Sequence, residues 1–435
     1  MAINIKERGD IIALSMKRQS ASGAVSAAEN PQTLDMIVPF DEGSKIDISD
    51  SRESNQKEKT GMAEPTKIDV GEREAAGTLT KSKAQPNLLA WAFAMIAGDH
   101  SETAAGSSGH AHTSQMSNAV EPSFFTVAHR KGNLADMRRH TGMIIDSLGL
   151  AMTKGANLSA TLGLKGIGKF DDQRFSETVA GLDNDTTLAF TKDIHGDSPD
   201  NVTVWADTKA DGVPDTEVTV TAVDNGLNQL TITSLGGAGA AVTYHLIYTP
   251  KNSLAEYVWA DFSALAAVEE FLPRTKDIQL ILGGAYDGSD IVGGQVAKCE
   301  ISSINYQYNA NAVIQKCFRG GALPVDHATG IDLGDISQTL TVDRDIVDFI
   351  MGYWHEKNLY PGMKIHALSP AEFETGQRYE VEILIPKVGF LDNKHNVVKG
   401  KWSSQSSLVV LKDDSANNYP SIIFKVKNQQ TGYLA

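Results

Sequence analysis

Apolar and polar residues alternate with a period of two in short segments along most of this sequence of 435 residues. Residues 157–164 (NLSATLGL) are an example, with Leu or Ala at every second position. Such alternation is typical of antiparallel strands that bury one face. Helical spacing of apolar residues is found at 86–97, 261–272 and 344–357. The sequence therefore predicts a mainly β fold with two or three helices.

Two polar stretches have the composition of loops. Residues 100–117 (HSETAAGSSGHAHTSQMS) consist of small and polar residues, which predicts a loop. Residues 50–67 contain charged residues of both signs in near balance. A long charged loop inside a compact domain is uncommon unless it binds something, so we expect a function for this stretch.

The length of the chain and a change in composition predict more than one domain. From about residue 185 to residue 250 the sequence is rich in Thr, Val and Gly, and it holds nine acidic and two basic residues. Its strand-like segments are separated by turn signals, among them Asp224-Asn225-Gly226. We interpret 185–250 as a small β domain inserted into a parent domain formed by residues 1–184 and 251–435.

The formal net charge of −15 argues against a protein that grips nucleic acid, because phosphate binding needs clustered Lys and Arg. The first eight residues have no apolar core of a signal peptide, and the longest apolar run, 88–97, is about half of a membrane span. We therefore expect the chain to be made and folded in a cytoplasm. Cys299 and Cys317 are the two cysteines, and two buried free thiols are favoured over a disulfide.

Residues 163–169 (GLKGIGK) satisfy part of a phosphate-binding loop. Phe170 stands where Ser or Thr would bind Mg²⁺, and no helical pattern follows to direct its N-terminus at a phosphate. A glycine-rich exit from a strand is the better interpretation. No order of residues in the sequence indicates a catalytic set, and we expect neither an enzyme nor a cofactor.

Two further motifs suggest metal binding only weakly. His110 and His112 are two residues apart and His100 is nearby, which could chelate a metal, but no Cys or carboxylate at ligand spacing completes a site. Residues 207–215 resemble an acidic Ca²⁺ loop, yet Lys209 brings a positive charge to a ligand position. A solvated loop and a connecting turn are the favoured interpretations, so no metal site is predicted.

A series of segments outside 185–250 follows a recognisable order. It begins with KIDIS, SRESNQKEKTG, EREAAGTLTKS and PNLLAWAFAMIAG. Its most specific part is EPSFFTVAHRKG followed by RHTGMIIDSLGLAMTKGANLSATLGLKGIG, and later segments are KCEISSINYQYNANAVIQKCFRGG, RYEVEILIPKVGF and SIIFKVKNQQTGYL. In these segments, which cover most of the chain outside 185–250, the sequence resembles the tail tube (major tail) proteins of long-tailed bacteriophages.

The resemblance implies a β-sandwich flanked by a helix, with hairpins from six subunits joined into one inner β-barrel. Rings of this kind stack into a tube in the virion, assembled in the host cytoplasm with tail assembly and tail-tip proteins as further partners. DNA would pass through the channel without specific binding. Because DNA carries one phosphate charge per roughly 1.7 Å of its axis, an acidic channel would let it slide. We therefore expect acidic side chains on the inward faces of the barrel strands.

Given the resemblance, the charged stretch 50–67 is the candidate contact between stacked rings. Its mixed signs suit complementary pairing between neighbours. The alternative is a solvated loop without partners. The candidate contact residues are Arg52, Glu53, Lys57, Glu58, Lys59 and Glu64.

The inserted domain should project outward, since no channel could hold an extra domain from each of six subunits. A contractile sheath would leave little room for it, so a non-contractile tail is favoured. Two alternatives remain open for the function. One is another β-rich virion component, such as a capsid decoration or baseplate protein, and the other is an adhesin or carbohydrate-binding protein centred on 185–250.

Overall fold

The computed structural model describes residues 10–21, 27, 30, 32–54, 68–116, 123–131, 137–172, 174–194, 197–248, 250, 273–297, 301–314, 331–332, 335–345, 349–398, 400–415 and 417–434. Antiparallel strands dominate this part of the chain, which confirms the mainly β fold class. The chain divides into two compact units. The smaller unit contains residues 170–264 together with 1–11 and 128–139, and the larger unit contains the rest.

The first segment of the chain contains ten strands and one helix. Their bounds are β1 Asp10–Leu14, β2 Met36–Val38, β3 Lys45–Ser54, β4 Ile68–Lys81, α1 Pro86–Ala97, β5 Gly98–Ala105, β6 Gly109–Met116, β7 Phe125–Lys131, β8 Met137–Thr153, β9 Ser159–Gly166 and β10 Phe170–Asp172.

The smaller unit contains the next seven strands. Their bounds are β11 Phe175–Leu182, β12 Thr187–Ala189, β13 Val202–Asp207, β14 Thr216–Val218, β15 Val220–Asp224, β16 Gln229–Ile232 and β17 Ala241–Tyr248, with a 3₁₀ turn at Pro199–Asn201.

The described residues of the last segment contain thirteen strands and helix α2. Their bounds are β18 Ile278–Leu282, β19 Ala285–Tyr286, β20 Ile291–Val292, β21 Gln295–Val296, β22 Ile301–Asn309, β23 Val313–Ile314, β24 Ile331–Asp332, β25 Ser337–Arg344, α2 Phe349–Glu356, β26 Met363–Glu374, β27 Gln377–Ile385, β28 Val388–Val398, β29 Lys401–Val410 and β30 Ile423–Asn428, with a 3₁₀ turn at Thr275–Asp277.

Among the described residues the larger unit contains two large sheets and the two-stranded sheets β19-β20 and β23-β24. In the first, which we call the large sheet, eight strands follow one another in the order β3-β4-β9-β8-β22-β25-β29-β28. Strand β8 also pairs with β7, and β1 and β2 follow β7 in the order β8-β7-β1-β2. The second is a seven-stranded sheet in the order β21-β18-β26-β27-β30-β6-β5. Within the described residues neither sheet closes into a barrel.

Helix α1 fills the core of the larger unit, and all twelve of its residues are buried. Pro86 occupies its first turn and Gly98 ends it with a φ of 78°, as the sequence predicts. Trp91 packs edge-on against Phe125 of β7, with 4.9 Å between ring centroids. On the seven-stranded sheet, Phe93 stacks on Phe424 of β30 at 4.0 Å. A helix that is apolar on every side is stable only when it is surrounded.

The smaller unit has a hydrophobic core of its own between a four-stranded sheet, β11-β17-β13-β14, and a three-stranded sheet, β12-β16-β15. Its buried residues include Leu230, Tyr244 and Leu246. The Asp224 side chain accepts a hydrogen bond from the Leu227 amide in the turn between β15 and β16, at the position of the predicted turn. The first strand of the four-stranded sheet begins at Phe175, ten residues before the predicted domain boundary.

Two of the loop predictions are wrong in the described residues. Residues 100–116 of the predicted loop 100–117 form most of the hairpin β5–β6, because β6 pairs with β30 and the small polar residues alternate across that sheet. The predicted loop 50–67 begins later than expected, since β3 continues to Ser54 and pairs with β4 as far as Ile68. Of the other predicted helices, 344–357 is observed as the shorter α2, and 261–272 lies outside the described residues.

The packing of α1 predicts a large loss of stability when Phe93 is truncated. We expect Phe93→Ala to lower the free energy of unfolding of the unassembled chain by about 3–5 kcal/mol, because a buried ring is lost and a cavity remains. Urea unfolding followed by tryptophan fluorescence measures the change. Trp402→Ala is the control, since the Trp402 side chain is 58% exposed and should change stability by less than about 0.5 kcal/mol. Equal losses in both variants would contradict this account of the core.

Candidate assembly surface

The large sheet has one apolar and one polar face. On β22 and β25 the side chains of Ile304, Tyr306, Leu340 and Val342 are buried against the core. Side chains at the alternate positions of β22, β25 and β29 point to the opposite face because of the period of two along a strand. These residues are Ser303, Asn305, Gln307, Thr339, Thr341, Asp343, Ser403, Gln405 and Ser407.

Asp343 is the one ionisable residue among those nine. The neighbouring outer strand β28 adds Asp392 and Lys394 to this face, since they pair with Ser407 and Gln405. Strand register places Ser303, Asp343 and Gln405 in one row across the sheet. The Asp343 carboxylate accepts hydrogen bonds from the Ser303 hydroxyl and, at 2.7 Å, from the Gln405 amide. On these three strands Asp343 is the one acidic side chain of the polar face, and Asp392 of β28 is a second one on that face. Small hydroxyl and amide groups dominate instead.

Both ends of the eight-strand run are open. Among the described residues β3 pairs with β4 alone, and β28 pairs with β29 alone. Each of these outer strands is long, with ten residues in β3 and eleven in β28. An open strand edge presents backbone N–H and C=O groups that can pair with another chain. The large sheet therefore offers two different edges for assembly.

Exposed apolar side chains lie at the tips of the two outer hairpins. Val397 and Trp402 are direct cross-strand partners near the β28–β29 turn, and their side chains are 56% and 58% exposed. Ile68, at the start of β4, is 65% exposed and pairs with Ser54. Val397 and Trp402 share the face of the sheet that is apolar further along the strands. At this tip the apolar face of the sheet extends past the edge of the hydrophobic core, so its side chains are exposed there.

Each outer strand also carries an ion pair between residues two positions apart. Lys45 Nζ lies 2.6 Å from an Asp47 carboxylate oxygen on β3, and Lys394 Nζ lies 2.7 Å from Asp392 on β28. Charged side chains on an open edge discourage indiscriminate pairing with other strands. Such an edge favours a partner strand whose charges complement those of these ion pairs.

The six candidate contact residues fall into two groups. Arg52 and Glu53 lie on β3, opposite Val70 and Asp69 of β4, and the Arg52 side chain is exposed. They are therefore part of an outer strand and not of a loop. Lys57, Glu58, Lys59 and Glu64 lie outside the described residues, as do Cys299 and Cys317.

The sequence interpretation missed the hairpin tip at Val397 and Trp402. A signal was present in NVVKGKW, where apolar residues flank the short Lys399-Gly400 turn. Alternation alone could not reveal that these apolar residues stay exposed, because exposure depends on where the core ends.

The weak sequence motifs are connecting segments in the structure. Residues 163–169 lead from β9 to the short strand β10, where a nucleotide-binding loop would lead to a helix. In 207–215 the Asp207 carboxylate accepts hydrogen bonds from the Gly212 and Asp211 amides, and Asp215 accepts from the Thr208 hydroxyl. These acidic groups are satisfied within the turn between β13 and β14, which supports the connecting-turn interpretation.

Two groups of side chains in the described residues have the composition of metal ligands: His100, Glu102 and His112, and His366, Glu380 and Glu382. In the first group, burial lowers the pKa of His100 to about 4 and also lowers the pKa of His112. Burial therefore favours the neutral form of both imidazoles. The sequence interpretation placed His112 in a loop and therefore did not predict this cluster. The pairing of β5 with β6 brings its three side chains together.

The second group is a network of ion pairs. His366 Nε2 lies 2.8 Å from Glu380, whose other carboxylate oxygen is 2.6 Å from Lys427 Nζ. Lys364 Nζ lies 2.6 Å from Glu382. Hydrogen bonds from His366 and Lys427 lower the pKa of Glu380 to about 2. The network joins β26, β27 and β30 in the seven-stranded sheet.

A scan of the sequence against models of known protein families finds no match, and a search of curated proteins finds none either. Neither helix of the described chain combines the length and the apolar character that a bilayer span requires.

The lowered pKa of Glu380 predicts a specific acid sensitivity. A carboxyl group whose folded pKa is depressed stabilises the fold above its ordinary pKa of 4.5, and this contribution is lost as the pH falls towards 2. Glu380→Gln should therefore flatten the decline in unfolding free energy between pH 4.5 and pH 2, as measured by urea unfolding at several pH values. Glu356→Gln, which alters an exposed carboxylate at the end of α2, should keep the wild-type slope. If the unfolding free energy of Glu380→Gln declines with falling pH as steeply as that of the wild type, the Glu380 carboxylate does not cause the acid sensitivity.

Proposed function

We propose that this protein is the tail tube protein of a long-tailed bacteriophage, and that six copies form rings which stack into the conduit for the genome. The observation that carries the proposal is the large sheet, which ends in two different open edges, β3 and β28. Strand edges that meet between neighbours close a sheet into a barrel and remove the exposed backbone groups. The sequence resemblance to tail tube proteins supports the same arrangement.

The two edges differ in sequence and length, so their contact would be head to tail around a ring. A heterologous contact of this kind closes when the rotation between copies divides a full turn. In such a ring the apolar pair Val397 and Trp402 would be covered by the neighbouring subunit. Burial of a Trp side chain from a position 58% exposed is a substantial gain for a ring contact.

The polar face of the large sheet is suited to the channel. In a barrel formed by edge-to-edge pairing, the core occupies one face of the sheet and the other face lines the interior. Hydroxyl and amide groups offer DNA no cluster of cations to bind, so the duplex would pass without being held. The further partners in this proposal are tail assembly and tail-tip proteins, and the assembled protein belongs to the virion.

Electron microscopy of the purified chain tests the proposal directly. Negatively stained samples should contain hollow tubes built of stacked rings. Isolated knobs or flat plates without a channel would favour a different virion component. A chain that remains monomeric at high concentration, with specific glycan binding by its smaller unit, would favour an adhesin.

The exposed hairpin tip predicts an assembly defect without a folding defect. Trp402→Ser combined with Val397→Ser should leave the thermal unfolding of the monomer unchanged, because both side chains are largely exposed. Ring and tube formation, followed by sedimentation velocity and electron microscopy, should be lost. Leu227→Ser is the matched control, since Leu227 is 68% exposed in the smaller unit. Normal tubes from the double variant would exclude this hairpin from the ring contact.

The charged stretch after β3 predicts a second, separable defect. Lys57→Glu combined with Lys59→Glu should prevent tube growth, because it reverses the charge pairing between stacked rings. Soluble single rings or monomers should accumulate, visible by size-exclusion chromatography and microscopy. The control is Lys209→Glu with Lys357→Glu, which reverses two exposed lysines on other elements. If tubes of normal length form from the first variant, the stretch does not mediate stacking.

A further inference from the structure

Two histidines and a glutamate converge on one side of the β5–β6 hairpin. Strand register places Glu102 directly opposite His112, and His100 is two residues from Glu102 on the same strand. Residues two apart on a strand share a face, so all three side chains lie together. One ligand atom from each of them lies within 4.8 Å of the other two.

His112 is oriented by hydrogen bonds at one ring nitrogen. Its Nε2 lies 3.1 Å from the Asn428 side-chain oxygen and 2.9 Å from the Gln430 carbonyl oxygen. Both partners are acceptors, so Nε2 carries the hydrogen atom and donates it. The lone pair is then on Nδ1, which is buried, makes no hydrogen bond and lies 3.7 Å from a Glu102 oxygen. An imidazole whose second nitrogen donates to the protein is the usual arrangement of a metal-bound histidine.

His100 presents a similar nitrogen. Its Nδ1 lies 2.9 Å from the Ser114 hydroxyl, and its Nε2 is buried without a hydrogen bond. The His100 and His112 rings are nearly parallel, with centroids 5.5 Å apart. A buried ring nitrogen without a partner costs free energy, and a metal ion would satisfy two such nitrogens at once.

The Glu102 carboxylate is held in place between the hairpin and the end of the chain. One oxygen accepts a hydrogen bond from the Gly432 amide at 3.0 Å, and the other accepts from the Thr431 hydroxyl. His110 Nδ1 lies 2.8 Å from the same carboxylate. Because each carboxylate oxygen has more than one lone pair, these contacts leave capacity for a cation.

We propose that His100 Nε2, His112 Nδ1 and the Glu102 carboxylate bind one divalent transition-metal ion, with Zn²⁺ as the best match. Two imidazoles and a carboxylate suit Zn²⁺ or Co²⁺, whereas Mg²⁺ and Ca²⁺ prefer oxygen ligands alone. With bonds of about 2.1 Å the three ligand atoms would be roughly 3.4 Å apart, which is close to the 3.7 Å between His112 Nδ1 and a Glu102 oxygen.

The contrast with the second cluster strengthens the proposal. Around His366 the carboxylates already pair with Lys364 and Lys427, whose ammonium groups neutralise them. Among the described residues no Lys or Arg is ion-paired with Glu102, and the basic groups nearest to its carboxylate there are the imidazoles of His110 and His112. The two clusters have the same residue types but differ in the cation that satisfies them.

The ion would fasten β5, the outer strand of the seven-stranded sheet, to β6, because two of its ligands lie on β5 and one on β6. Glu102 and His112 also form hydrogen bonds with residues of the segment 428–432. The bound metal would therefore oppose the peeling of β5 from β6. This role is independent of whether the chain assembles into tubes.

Zinc binding by the full-length chain without a histidine tag tests the proposal. Isothermal titration with zinc chloride should give one site per chain, and cobalt chloride should give visible d–d absorption that zinc displaces. His100→Gln and Glu102→Gln should each weaken zinc binding at least 10-fold, since even orienting partners of a ligand contribute that much. His366→Gln is the matched control and should bind zinc as the wild type does.

His112→Gln changes a fully buried residue, so circular dichroism must establish that this variant folds before its affinity is interpreted. If His112→Gln does not fold, the variants His100→Gln and Glu102→Gln still test the proposal, because these two residues are less buried. Absence of stoichiometric binding to the wild type would overturn the proposal. So would unchanged affinity in both His100→Gln and Glu102→Gln, because zinc would then be held elsewhere on the surface.

Discussion

The burial of α1 is the constraint on which the larger unit depends. Trp91 contacts the large sheet and donates a hydrogen bond of 2.9 Å to the Ser15 carbonyl oxygen, while Phe93 contacts the seven-stranded sheet. Because the helix has no polar side to turn towards water, both sheets must direct their apolar faces at it. The outward face of the large sheet is then necessarily the polar one. Contacts with other molecules are left to that face and to the strand edges.

The residues that stabilise the fold are therefore different from those that are available for assembly. The core around α1 is complete within one chain, so a single copy can fold before it meets another. The open edges at β3 and β28 and the exposed pair at Val397 and Trp402 contribute little to that core. In the proposed ring their backbone and apolar groups would gain partners from a second copy. A tube protein needs this property, since subunits must remain soluble until they join a growing end.

Local sequence patterns predicted the elements whose environment is simple. The predicted bounds of helix 86–97 agree with the structure to the residue, because Pro86, an unbroken apolar run and Gly98 all indicate the same bounds. The hairpin β5–β6 was missed because its small polar residues form a strand only through pairing with β30, more than 300 residues away in sequence. The His100, Glu102 and His112 cluster depends on that pairing and on Asn428 and Gln430. No spacing rule within one segment could have predicted it.

The distribution of charge refines the account of how DNA would pass through such a tube. The net charge of −15 suggested an acidic channel, yet the polar face of β22, β25 and β29 is mostly hydroxyl and amide groups. Asp343 is hydrogen-bonded by Ser303 and Gln405, which spreads its charge across the row. A channel of this kind does not need strong repulsion, because the absence of clustered cations already removes the sites at which phosphates would pause. Uniformity of the surface, more than its acidity, is then the property that permits sliding.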